Sequence, residues 1–554
     1  MPTAHQLEAG AFTDRLAVTL TLTISGTAHT IAGGAVRDLA LELHSYGFSG
    51  ALTFVVHDDH AHGGGFTDQL RADFIKPDLI EVALGIAPVL VWAEAAAIQP
   101  ITVAGLVIDK SIRELSFRKT ADQPVLVRSY RIVFADPAQV LWGQHYPSQL
   151  YTNKAMTDVI NDHLGDKITI SYDFSALSQS RPLVFLYLPQ GGASFWDFLS
   201  WYLAGAGGVL TYDYAAAAYK ISATKSTSGT PIQLFGDDLA TTELYYPEVA
   251  RHAPKVLNSN TESPTTKPVT NAQAATSIRS DHLLRSPIAQ DVDDAVTFQT
   301  AQIALPCAEA HLAFARMPST TLVPGALVEI AAANRWSSES ALVGTTWRVR
   351  QLSVHARASH APLDQDIQNA STGYQIEISA ELEDKDDPRI ERPAFRAPSY
   401  PGLVEGKVVS EQGNDGDKTY QVYTNATTSL SEYHVKVPLW ANQIVSAPFE
   451  PLQGSGNLYW PSYRDERVLL ALDVHSAQIA RLLEWRAGAV LSMDVQGEHL
   501  LFGKSDTSQT SVNHVYDGDN PVLNVARTHA SDTALIKLSE GTLFLQVMEQ
   551  EESA

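Results

Sequence analysis

The densest group of residues that could do chemistry is His57-Asp-Asp-His60-Ala-His62, which runs into Gly63-Gly-Gly65. Three imidazoles and two carboxylates within six residues are the donor types that hold zinc or a related divalent cation. Ligands drawn from one short segment seldom enclose a metal, however, and the glycines that follow favour a solvated surface loop. His514 and His529 would have to gather around a symmetry axis to share a metal, so two surface polar residues are the simpler reading. The single cysteine, Cys307, excludes an intrachain disulfide and a multi-cysteine metal centre, and it reads as a small buried hydrophobe. Gly205-Ala-Gly-Gly208 follows a helical pattern and precedes a strand pattern, the reverse of the order a phosphate loop requires. Neither Gly-x-Ser-x-Gly nor His-Glu-x-x-His occurs. The expectation is a protein without catalytic residues, cofactor or metal site, and not an enzyme.

What must position any site is a mainly β chain with a few helices. Leu16, Val18, Leu20, Leu22 and Ile24 alternate with Thr19, Thr21 and Thr23, the period of a half-buried strand. Tyr374–Leu382 repeats the pattern, with Gln375, Glu377, Ser379 and Glu381 facing out. Two helices interrupt it. Lys154–Leu164 carries Met156, Val159, Ile160 and Leu164 at helical spacing and stops at Gly165. Phe195–Leu203 starts at Ser194 with Asp197 three residues on, a capping-box arrangement, and is expected to end at Gly205.

The 554 residues exceed what a single hydrophobic core supports, so several domains are expected. We place an N-terminal β-rich part at 1–250 and a linker followed by a second β-rich part at 251–400. A compact module spans 401–490 and a C-terminal segment 491–554. Arg251–Gln290 is rich in turn formers and reads as a long surface loop. In the third part Leu403–Val409, Tyr420–Tyr423, Tyr433–Val437, Arg467–Leu472 and Arg481–Trp485 are five candidate strands, the number of an OB-fold barrel. In the last part, His499–Phe502, Val522–Val525, Ala534–Leu538 and Thr542–Val547 are short runs that bury too little to close a core on one chain. Stacking against further copies would bury them.

The formal net charge of −23, from 62 acidic and 39 basic residues, argues against nucleic-acid binding and against contact with anionic membranes. The start, Met1-Pro-Thr-Ala-His5, shows no basic stretch followed by an apolar run, so the expectation is a protein folded in the cytoplasm without a secretory signal and without stable membrane insertion.

The order of these segments resembles the VgrG family of type VI secretion and the related hubs of phage tails and extracellular contractile systems. The resemblance is carried by Val103-Ala-Gly-Leu-Val107, by Tyr130–Phe134 followed by Leu141-Trp142, and by Leu150–Lys154 leading into a helix. It continues in Phe195–Leu203 followed by Gly205–Tyr214, in Leu322–Val328 with Thr346–Val349, and in Val435-Lys-Val-Pro438 with Trp440. The chain departs from the family in Gly454–Pro461, where a glycine-rich run is usual, and in a C-terminal region shorter than a typical needle.

The resemblance implies a structural central spike: a homotrimer of tandem β-barrel-like hub domains, an OB-fold barrel and an intertwined C-terminal β-prism or β-helix tip. It implies docking on a hexameric, Hcp-like inner tube, contact with baseplate components, a PAAR-type tip protein and effector cargo. The spike would be held in the cytoplasm and ejected on contraction to puncture a target envelope. The alternative is a β-rich carbohydrate-binding or adhesin protein that uses the aromatics of Tyr459-Trp-Pro-Ser-Tyr463.

Overall fold

The computed structural model describes residues 12–58, 65, 67–91, 99–118, 124–261, 263–286, 288–303, 307–330, 337–359, 367–426, 428–448, 461–484, 497–505 and 507–549. Two compact units emerge. The first comprises Met1–Tyr146, Ile160–Ser178 and Gln190–Pro398, and the second comprises Pro147–Val159, Gln179–Pro189 and Ser399–Ala554.

The chain opens with β1 (Phe12–Ile24), β2 (Thr27–Ile31), β3 (Val36–His44) and β4 (Gly47–Asp58). A helical turn, α1 (Arg71–Phe74), leads to β5 (Ile80–Pro88), β6 (Ile101–Arg118) and β7 (Pro124–Ala135). An α/β stretch follows: α2 (Pro137–Trp142), β8 (Ser148–Ala155), α3 (Met156–Asp162), β9 (Ile170–Asp173), α4 (Ser175–Ser178), β10 (Ser180–Tyr187), α5 (Phe195–Ala206), β11 (Val209–Asp213) and β12 (Ala218–Ser222). Next come β13 (Ile232–Leu234), β14 (Leu239–Tyr245), β15 (Ala253–Asn258), β16 (Thr265–Pro268), β17 (Arg279–Leu284) and α6 (Ala289–Gln302). The strands β18 (Glu309–Phe314), β19 (Leu327–Ile330), β20 (Trp347–Ala358) and β21 (Ser371–Asp384) complete the first unit.

The alternation expected of the first strand is realised. Leu16, Val18, Leu20, Leu22 and Ile24 are buried, while Thr19 is exposed and Thr21 and Thr23 are half-buried. The strands run β20–β3–β4–β7–β6–β5–β1–β21, and β21 pairs back to β20, so eight strands close a ring. Closure leaves those eight no free edge. β20 and β21, of 12 and 14 residues, also carry β19 and β13 on one side and β18 and β14 on the other. Two barrel-like sheets therefore share their two longest late strands. Gly105 on β6 shows how tightly the ring packs: a Cβ there would lie 2.6 Å from the carbonyl oxygen of Ala135.

The ends of β18, β20 and β21 hold a charge network. Arg348 meets Glu383 at 2.9 Å and Lys225 meets Glu383 at 2.8 Å. Arg350 meets Glu309 at 2.8 Å and bonds to Glu381, while Arg389 meets Glu309 at 2.8 Å and Asp387 at 2.6 Å. Burial holds the Lys225 ammonium below its usual pKa, against the opposing pull of Glu383. Four carboxylates and four cations balance, as desolvated charges must.

Three structural results differ from expectation. The stretch 251–290 is not a loop. β15 pairs antiparallel with β16 and parallel with β17, and α6 packs on them through Val292. α3 begins at Met156 rather than Lys154, because Lys154 and Ala155 belong to β8; the Asp158 carboxylate accepts the Ala155 N–H at 3.1 Å and sets the start. α5 has the expected capping box at Ser194 and Asp197 but runs through Gly205 and Ala206 to end at Gly207, whose φ of 75° is the left-handed cap glycine tolerates.

The second unit contains β22 (Gly402–Val408), β23 (Tyr423–Thr424), β24 (Ser431–Val437), β25 (Gln443–Pro448), β26 (Arg467–Leu472) and β27 (Ala477–Leu482), paired β23–β24–β22–β26–β27 with β25 on β24. β25 had no counterpart among the expected strands, and β27 begins four residues before the expected Arg481. The core of this module is not made by its own strands alone. Leu150 of β8 and Leu183 and Phe185 of β10 are buried with Val408, Val435, Val468 and Leu470. The Phe185 N–H donates to the Val474 carbonyl at 2.9 Å. A hairpin from the first half of the chain thus completes the module.

Candidate functional site

The C-terminal strands are β28 (Gly497–Ser505), β29 (Ser508–Asp517), β30 (Asn520–His529), β31 (Asp532–Ser539) and β32 (Thr542–Met548), an antiparallel meander in sequence order. β28, β30 and β31 are longer than the short apolar runs expected, because flanking residues, many of them polar, extend those runs at both ends, and β29 had no counterpart among them. The strands pair with one another on one chain, so they are not left without partners. What they lack is a core: among their described residues only Val522 is a buried hydrophobe.

Register explains why. Because side chains alternate across a strand, facing residues line up in rows on one face. Leu500 faces Val512, Val512 faces Val525, Val525 faces Ile536 and Ile536 faces Leu545, an unbroken apolar row across all five strands. The row beside it ends in Leu523, Leu538 and Leu543. A third row on that face runs Phe502, Thr510, Arg527, Ala534 and Val547. The opposite face carries the row His499, Asn513, Asn524, Lys537 and Phe544. The first face is therefore the oilier one, while the opposite face mixes polar residues with Leu501, Val522, Ala526 and Leu535.

The oily face is open to solvent: Leu545 is 66% exposed, Leu543 60% and Val547 79%. β32 is one edge of the sheet, and every residue along it is exposed. A contiguous exposed apolar surface beside an unpaired strand edge is a feature found at association surfaces.

The other candidates take less committed positions. His57 and Asp58 end β4, with His57 buried and the Asp58 carboxylate held by Arg128 at 2.8 Å. Asp59, His60 and His62 lie outside the described residues. His514 pairs with Glu498 at 3.1 Å, and His529 faces Ser508 at the far end of the ladder. Six residues of strand separate the two histidine rows, about 20 Å at strand rise, so one chain does not bring them together. Among the described residues no three His, Cys, Asp or Glu side chains are grouped as a metal would need. Cys307 is half-buried, and burial together with Asp387 pushes its thiol pKa up. Gly208 serves packing: a Cβ there would lie 2.8 Å from the Leu203 side chain. Of the aromatic stretch 459–463, Tyr459 and Trp460 lie outside the described residues. The Ser462 N–H donates to the Tyr433 hydroxyl at 2.9 Å, and Tyr463 stacks edge-on against Tyr420. No described helix is long and apolar enough to cross a membrane.

A residue that spacing did not single out is Asp136, fully buried at the N-cap of α2. It accepts the Gln139 N–H at 3.0 Å, the Phe48 N–H at 3.1 Å and the Tyr219 hydroxyl. Burial holds its carboxyl above the usual range despite those donors. Its Asp-Pro context is a legible N-cap signal.

Comparison with solved structures identifies the fold. The structure of a PdpA–VgrG complex in a lidless state aligns with a TM-score of 0.73 at 14% identity over 97% of this chain and 99% of the other. The Francisella PdpA–VgrG complex in a half-lidded state aligns with a TM-score of 0.73 at 14% identity over 98% of this chain and 90% of the other. The fold is VgrG-like. No family model and no curated protein matches the sequence. At this identity the likeness establishes architecture, and the VgrG-like chain's own residues must carry anything further.

Proposed function

We propose that this protein is the central spike of a contractile injection system, acting by mechanical load rather than by catalysis. The observation that carries the reading is the exposed apolar row from Leu500 to Leu545 beside the open edge of β32. Three copies wrapped about an axis bury that row and give each edge a neighbour, which turns a one-layer sheet into a prism. Burial of a Leu or Ile side chain is worth about 1.5–3 kcal/mol relative to exposure, so three copies of a five-residue row supply a substantial association energy.

In this reading the two barrel-like sheets of each chain form a ring that abuts a hexameric, Hcp-like tube. The β22–β27 module is an OB-type collar, the prism narrows to a point capped by a PAAR-type protein, and baseplate proteins hold the assembly before contraction. The buried charge network at the ends of β18, β20 and β21 ties strands laterally, which suits parts that transmit thrust. The solved complexes pair VgrG with PdpA, which supports a spike that carries a further protein, and effector cargo is part of the proposal.

The test is the mass of the purified full chain by light scattering: a species near three times 60.2 kDa is expected, and a stable 60.2 kDa monomer at micromolar concentration would overturn the proposal.

A further inference from the structure

Two histidines face each other in the first unit. His145 Nε2 lies 2.8 Å from His163 Nδ1, so one ring donates a proton to the other. Both rings lean on Phe195, the first residue of α5, with centroid separations of 5.7 and 5.0 Å. The same corner is closed by Trp142 Nε1 donating to the His163 carbonyl at 2.8 Å and by the Phe195 N–H donating to the His145 carbonyl at 2.8 Å. The bridge therefore ties the turn after α2 to the residue after α3. Between those points the chain leaves the first unit at Pro147 and rejoins it at Ile160.

A hydrogen bond between two imidazoles survives one added proton, because a charged ring still donates to a neutral acceptor. It does not survive two, since both nitrogens then carry hydrogen and two cations stand 2.8 Å apart. The charged groups around the pair do little to relieve this. Asp162, beside His163, favours the cation. α5 presents its N-terminus, whose dipole disfavours one. Asp197 in its first turn is already bonded to Ser194 and to the Arg396 N–H. Asp136 at the start of α2 is engaged by Gln139 and Tyr219.

We propose that the His145–His163 bridge is an acid-operated latch, closed while at most one ring is charged and open when both are, which loosens the corner where residues 142–146 meet residues 160–165. Burial first, and then the His145 charge, hold His163 down to about 4, and burial holds His145 below its usual value. A chain with the latch open takes up protons near the usual value of 6.5, so the stability contributed by closure is complete above that pH. It is lost as the pH falls from there through about 4.

The experiment uses the full chain. Histidine C2-hydrogen exchange read by mass spectrometry gives the titration of each ring without any substitution, and His163 is expected to titrate well below its value in the urea-unfolded chain. Backbone deuterium uptake, corrected for intrinsic rates, should rise about tenfold in peptides covering 142–146 and 160–165 as the pH drops from 6.5 to 4. In the double variant His145→Gln, His163→Gln, whose amides keep a hydrogen bond but do not titrate, no such rise is expected. Titration of both native rings at the unfolded value, or the same acid profile in native and variant proteins, would overturn the latch.

Discussion

Replacing Leu545 with Asp tests the assembly surface at its most exposed core position. Leu545 closes the apolar row, is 66% exposed in a single chain, and faces Ile536. Full burial of a leucine is worth about 1.5–3 kcal/mol, and two-thirds of that is still available to an association, about 1–2 kcal/mol per chain. Three symmetric copies make this about 3–6 kcal/mol per assembly, and at 1.4 kcal/mol per decade the association constant falls by a factor of about 10² to 10⁴. Desolvating the new carboxylates adds to the loss. Sedimentation velocity over a dilution series should show the trimer of the native chain persisting where Leu545→Asp has dissociated, with Gln546→Asp as the control because residue 546 belongs to the opposite face. Equal association of Leu545→Asp and Gln546→Asp would refute the assignment of the faces.

Glu383→Ala leaves Arg348 and Lys225 desolvated without their shared carboxylate, and removing one partner of a buried pair costs about 3–5 kcal/mol; urea unfolding should show that loss in midpoint. Phe185→Ala removes a fully buried ring of β10 from the core of the second unit, at a cost of about 3–5 kcal/mol, and proteolysis should then cut first within residues 399–484. Ser194→Ala deletes one half of the α5 capping box and is expected to cost about 1 kcal/mol, with Ser194→Asp recovering most of it in the same melt. Gly207→Val forces a β-branched side chain onto a φ of 75° and should cost about 1–2 kcal/mol, whereas Gly205→Ala, inside the helix, should be neutral or stabilising.

Of the strands that close the first ring, β1 and β21 were legible because each has one buried face and period-two alternation survives in its residues, whereas β3, β4, β5 and β20 were not singled out. The capping box of α5 was legible for a similar reason, since Ser194 and Asp197 act locally. The C-terminal rows were only half legible. The apolar runs of β28, β30, β31 and β32 stood out, yet β29, Ser-Gln-Thr-Ser-Val-Asn-His-Val-Tyr-Asp, offers one polar face and a weak apolar one. Which residues face which depends on register, and register is set by the four turns together. The strands β15–β17 were read as a loop because they are short and edged with Thr, Asn and Pro, and α6 was not singled out. Least legible was the insertion of β8 and β10 into the core of the second unit. Leu150 and Phe185 precede that module by more than 200 residues, and no local pattern announces so distant a pairing. The His145–His163 bridge has the same character: eighteen residues apart, the two rings meet only because α2, α3 and α5 bring their ends to one corner.

The central claim is that the last five strands reach their final structure only in company. Cryo-electron microscopy of the purified full chain tests it most directly. Three chains braided about an axis, with Leu500, Val512, Val525, Ile536 and Leu545 turned inward and β32 hydrogen-bonded to a neighbouring chain, is the predicted image. A single chain whose terminal sheet stands alone with that row facing solvent would contradict the account.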